Sequence, residues 1–141
     1  MTLTLELSPD LTSLRPTLDG IRAALPGPPM SAEDWHAVDL VLMETLTNVL
    51  RHAAPATPVH LTLTPDRAGL RVAVEDEGAP MPDGALPAGL LPDPDPTPET
   101  AQDHGYGWFL IRTLARDITY VRTAGRNRLT FRIVGEGGAD D

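Results

Sequence analysis

HGYGWFLIRTLARDITY, residues 104–120, changes character twice along its length. Glycines at 105 and 107 open it, giving the backbone freedom at what reads as a helix start. Trp108 to Ala115 is an apolar run of helical length, and ITYVRT (118–123) alternates as a strand. A turn at Gly125-Arg126-Asn127 returns the chain into a last strand, RLTFRIV (128–134). Alone, this is a helix boundary followed by a hairpin. Its meaning depends on what precedes it.

Upstream, residues 77–104 are rich in proline, glycine and aspartate and show little periodicity. A stretch of that length inside one domain reads as a functional lid, about 79–104, since too little chain follows for a linker. Before it, VHLTLTP (59–65) and LRVAVED (70–76) alternate around Asp66-Arg67-Ala68-Gly69 and read as a hairpin. A long helix precedes them. Ser31 to Asp34 is a near capping box, and Trp35, Val38, Val41 or Leu42, Thr45, Leu46, Val49 and Leu50 form an apolar stripe running to about Ala53, where Pro55 stops it. Another helix carries Leu11, Leu14, Leu18, Ile21 and Leu25, with Ser8 or Asp10 as cap and Pro26-Gly27-Pro28-Pro29 as terminator. TLTLEL (2–7) begins the chain as a strand. The order predicts an α+β two-layer sandwich. Its mixed, mostly antiparallel β-sheet would carry about three helices on one face, in one domain over 1–134 with a flexible acidic tail at 135–141.

Composition narrows the chemistry. The chain has 141 residues, a net charge of −9 and no cysteine, and all eleven basic residues are arginine. Thiolate chemistry and disulfides are excluded. An acidic chain is poorly suited to direct nucleic-acid binding, which needs a basic surface to release counterions. No run approaches the roughly 18 apolar residues of a membrane span, and the first ten residues do not resemble a signal peptide. The expectation is a cytoplasmic protein with no membrane association. Without lysine, any nucleotide phosphate has to be held by arginine or backbone amides.

Three stretches carry the chemistry. ETLTNVLRHA (44–53) sets Glu44, Asn48, Arg51 and His52 at helical spacings that share roughly one face. VEDEGAPMP (74–82) ends a strand in Asp76-x-Gly78. HGYG leads into the later helix. Each alone has an ordinary explanation as a solvated face, a turn or a helix boundary. The order Glu-x-x-x-Asn, then Asp-x-Gly, a long loop and Gly-x-Gly is far rarer than its parts.

With those residues in order, the chain resembles the bacterial anti-sigma-factor serine/threonine kinases, within the histidine kinase-like ATPase (Bergerat) fold. The likeness extends from about residue 5 to 134. ETLTNVLRHA is similar to that family's N-box, VEDEGAPMP to its first glycine box and HGYGWFLIRTLARDITY to its second. The resemblance implies ATP and Mg²⁺ as cofactors. Asn48 would offer an amide oxygen to the metal, and Glu44 would act as general base or orient a hydroxyl. Arg51 would reach a phosphate. Asp76 would accept from the adenine amino group, with Gly78 letting the backbone approach the base. Gly105 and Gly107 would present backbone N–H groups to phosphate at a helix N-terminus. Thr130 would help hold the adenine, and His52 is read as structural.

Two departures stand out: Pro80 replaces the second glycine of the first box, and His104 a glycine common before Gly105. The resemblance implies a kinase of a partner-switching system. It would phosphorylate a STAS-domain anti-anti-sigma protein, sequester a sigma factor or similar regulator, and form a homodimer. The alternative is a nucleotide-gated binding module with little or no kinase activity. A detached histidine-kinase catalytic domain ranks lower, because no His-bearing dimerisation helix precedes the motifs.

Overall fold

Side chains in a strand alternate between the two faces of a sheet, and in this chain the apolar ones fall on the same face. The computed structural model describes residues 1–25, 27, 29–81, 86 and 106–135. The chain forms β1 (Leu3–Leu7), a 3₁₀ turn (Leu11–Ser13), α1 (Leu14–Asp19), α2 (Ile21–Ala24) and α3 (Ala32–Asn48). A π-helical turn (Val49–Ala53) leads to β2 (Val59–Pro65) and β3 (Gly69–Asp76). The later elements are α4 (Tyr106–Leu114), β4 (Arg116–Thr123) and β5 (Arg126–Val134). The sheet order is β1-β2-β3-β5-β4. Every pairing among these strands is antiparallel, so the α+β expectation holds and the sheet is not mixed.

Register builds the core row by row. Leu3, Leu5 and Leu7 pair with Leu63, Leu61 and Val59, and those in turn align with Val72 and Val74. Across β3 and β5 the rows are Leu70 with Ile133, Val72 with Phe131 and Val74 with Leu129. Buried against them are Leu14, Leu18 and Ile21 from α1 and α2, Val38, Val41, Leu42 and Leu46 from α3, and Trp108 and Ile111 from α4. Each such side chain contributes about 1.5–3 kcal/mol of transfer free energy. The next row is polar: Asp76 stands opposite Asn127, and Asn127 opposite Arg122. The helix-facing side of the sheet turns from apolar to polar at this row.

Two local differences from expectation have physical causes. The first helix breaks at Gly20 into α1 and α2, since glycine costs about 1 kcal/mol relative to alanine in a helix interior. Asp10 caps only the preceding 3₁₀ turn, accepting from the Ser13 amide, and Leu11 is left exposed. The second hairpin turns at Ala124 and Gly125, both at positive φ (52° and 77°), rather than at 125–127. A two-residue turn of that hand matches strand twist. It moves Asn127 from the expected turn into β5.

The capping box of α3 is complete: Ser31 Oγ accepts from Asp34 N at 3.1 Å, and Asp34 Oδ2 accepts from Ser31 N at 2.8 Å. Of the expected lid, residues 79–81 and Leu86 are described; the rest lies outside the described residues, as does the tail from 136. Among the described residues, no helix is long and apolar enough to cross a membrane.

Candidate nucleotide site

Asn48 closes α3, and the helix then widens. The next turn is π-helical, with Ala54 N bonded to Val49 O at 3.1 Å, and Ala54 leaves it in a left-handed conformation (φ 44°). Such single π turns recur at functional sites. This one carries Arg51 and His52 at its exposed surface, so neither packs into the fold. Arg51 has no ion-pair partner among the described residues. It remains a long permanent cation at the end of the helix bearing Glu44 and Asn48.

Glu44 and Asn48 are half-buried and meet the first turn of α4. A methyl group built on Gly107 would lie 2.6 Å from Glu44 Oε2 and 3.4 Å from Asn48 Nδ2. The N-box helix and the glycine that opens α4 therefore touch across a large gap in sequence. Among the described residues, Asn48 Nδ2 is buried with no hydrogen-bond partner, and so is Thr45 Oγ1 on the same helix. Buried polar atoms without partners are rare and costly in native structures. An amide left with such an atom is not fixed by a described bond and can turn either end to a ligand. Gly105 lies outside the described residues.

The second cluster surrounds Asp76, which is 4% exposed. Its Oδ1 accepts from Gly78 N at 2.8 Å and from Asn127 Nδ2 at 2.9 Å. Both described bonds fall on one oxygen, leaving Oδ2 to take a donor. Gly78 is required by its neighbour: a Cβ there would lie 2.3 Å from the carbonyl oxygen of Ala53. The following amide, Ala79 N, donates to that same oxygen at 2.8 Å. The strand bearing Asp76 is thus tied to the end of the helix bearing Glu44 and Asn48. Pro80 follows at the surface, and Met81 N donates to Tyr120 Oη at 2.9 Å.

Thr130 is a correction. The alternation of β5 puts Asn127, Leu129 and Phe131 on the helix-facing side. Thr130 stands on the other face, where its hydroxyl meets that of Thr119, so it cannot share a ligand with Asp76. Asn127 occupies that place. It is 5% exposed and was hidden from sequence reasoning by the misplaced turn. The available signal was the pairing of two hairpins through β3 and β5, which sets residue 127 opposite residue 76.

The donor set suits a hard cation shared with phosphate. No group of three His, Cys, Asp or Glu side chains able to hold a metal lies among the described residues. A fully protein-made cage is therefore not what these residues offer. Mg²⁺ is ordinarily bound through one or two carboxylates together with phosphate and water; here Asn48 would hold it through its amide oxygen, the end opposite the Nδ2 that has no partner among the described residues. The start of α4, stripped of a side chain at Gly107, fits an anion approaching backbone N–H groups.

No curated protein matches the chain. A family model described as the histidine kinase-like ATPase domain matches residues 7–133, from the end of β1 almost to the end of β5. A domain of this kind implies ATP binding, with Mg²⁺ commonly involved, and ATP-dependent phosphotransfer in general. The chain belongs to the histidine kinase-like ATPase family.

Proposed function

We propose that this chain is an ATP-dependent serine/threonine protein kinase of a partner-switching system. It phosphorylates a STAS-domain anti-anti-sigma protein and, in its nucleotide-bound form, holds a sigma factor or similar regulator as a two-fold homodimer. The observation that carries the reading is the contact of Glu44 and Asn48 with Gly107. It brings together a carboxylate, a side-chain amide whose Nδ2 has no partner among the described residues, and the first turn of a helix. The resemblance of the three motifs to the anti-sigma-factor kinases supplies the substrate class.

Within this reading, Asp76 Oδ2 accepts from the exocyclic amino group of adenine, and Asn48 holds Mg²⁺ through its amide oxygen. When bound, Mg²⁺ offsets the charge of the triphosphate. The backbone N–H groups at the start of α4 take phosphate oxygens, and Arg51 takes another. Glu44 receives the proton of the substrate hydroxyl while the hydroxyl oxygen bonds to the γ-phosphorus and the bond from that phosphorus to the bridging oxygen breaks, releasing ADP. Phosphoryl transfer asks mainly for positioning and charge neutralisation, so one carboxylate is a sufficient base.

The test is label transfer from [γ-³²P]ATP to a cognate STAS-domain protein, with the labelled residue identified by mass spectrometry. Label on serine or threonine is expected. Tight ATP binding with no transfer would replace the kinase by a nucleotide-gated binding module.

A further inference from the structure

Asn127 makes more bonds to the Asp76 corner than any residue of the sequence motifs, and their directions are fixed. Arg122 can only donate, so the side-chain atom of Asn127 facing it, 3.0 Å from Nη1, must be the carbonyl oxygen. Tyr120 Oη already accepts from Met81 N, so its own proton is free for the same oxygen at 2.6 Å. The amide NH₂ is thereby turned the other way, to Asp76 Oδ1 at 2.9 Å and Ala79 O at 2.8 Å. Arg122 Nη1 also donates to Gly78 O at 2.6 Å. Asn127, Tyr120 and Arg122 together hold the backbone from Gly78 to Met81 against the edge of the sheet.

We infer that Asn127, locked by Tyr120 and Arg122, is a positioning residue that sets the choice of purine base. The inference rests on the proposed reading of Asp76 as the base acceptor. A free asparagine in this corner could offer its NH₂ to a ligand acceptor, such as the carbonyl oxygen that guanine carries where adenine has an amino group. The locked amide spends both N–H groups inside the protein, so the corner presents only the second oxygen of Asp76. A site that only accepts favours the base that donates, because a wrongly matched buried polar group loses its hydrogen bond without compensation. Tyr120 and Arg122 act through Asn127 and need not touch the nucleotide.

The test measures the ratio of ATP to GTP affinity by calorimetry in the full chain. The variants are Asn127→Ala, Tyr120→Phe, Arg122→Ala and the Tyr120→Phe/Arg122→Ala double variant. Ile133→Val, a core change at the far end of β5, controls for general destabilisation, and each variant is checked by far-UV circular dichroism. The ratio is expected to fall about tenfold or more in the double variant, which frees the Asn127 amide to donate to a ligand, and in Asn127→Ala, which leaves the Asp76 carboxylate without the amide that orients it, with smaller losses in the two single variants. It should be unchanged in Ile133→Val. If the wild type and Asn127→Ala favour ATP equally while Asp76→Ala does not, the inference on Asn127 is overturned and the reading of Asp76 stands. A wild type with no preference for ATP overturns both. An Ile133→Val ratio that falls as far as that of Asn127→Ala also overturns the inference, since the effect is then one of stability alone.

Discussion

Gly107 and Glu44 are so close that the smallest side chain at 107 would reach to 2.6 Å from the carboxylate. The obstructing atom is the tip of a mobile side chain, so the fold can accommodate Gly107→Ala by moving Glu44 aside. The variant is therefore expected to lose little stability and much transfer. Thermal melting within a few degrees of wild type, with phosphotransfer down about tenfold or more, is the expected pair of results. Wild-type transfer would show that the position of Glu44 does not matter.

Gly78→Ala should behave in the opposite way. Here the added methyl meets the backbone carbonyl of Ala53 at 2.3 Å, and backbone cannot swing aside. The junction between β3 and the π-helical turn must open, at a cost of about 1–3 kcal/mol. Urea unfolding without nucleotide should show that loss. An unchanged midpoint would mean that the junction yields freely.

Asp76→Ala removes the acceptor for Gly78 N and Asn127 Nδ2 at a buried position. Stability should fall by about 1–3 kcal/mol, and preference for ATP over GTP should disappear. Calorimetry with both nucleotides reads the second effect separately from the first. Retained preference would show that another group reads the base.

Asp66, in the β2–β3 turn, gives the fold an acid-sensitive element. Burial pushes its pKa up, but the amides of Ala68 and Gly69, Arg71 and the nearby Arg132 together outweigh it and hold it below the ordinary value. A carboxylate depressed in the folded state stabilises above its unfolded pKa of about 3.9 and loses that contribution as pH falls through the folded value. Asp66→Asn should therefore be less stable than wild type at pH 6, by no more than about 1 kcal/mol given its exposure. The gap should close as pH falls through the lowered folded value. Denaturant titrations across that range check the sign, and a gap that widens in acid would contradict it.

The sequence displayed the α3 stripe, the Ser31–Asp34 capping box and both hairpins, because periodicity and local capping decide them. Glu44, Asn48, Asp76, Gly78 and Gly107 could be nominated as candidates for the same reason: each sits at a fixed offset within a local motif. Asn127 was not. Its role comes from a register between β3 and β5, and that register depends on Ala124 accepting a positive φ that alanine rarely adopts. Thr130 rested on the resemblance, and the pairing of Thr130 with Ala73 puts it on the face opposite Asp76. The break at Gly20 was in plain view, but a continuous spacing of leucines outweighed a single glycine.

The most direct test of the proposed chemistry separates holding the nucleotide from reacting with it. Glu44→Gln keeps the shape of the side chain against Gly107 while removing the base. Its single-turnover transfer of phosphate to a cognate STAS-domain protein, measured at saturating Mg²⁺-ATP alongside wild type, is expected to fall by about 10²–10⁴-fold. ATP affinity should stay within about threefold of wild type, less than 1 kcal/mol. Transfer at the wild-type rate by Glu44→Gln would contradict Glu44 as the base.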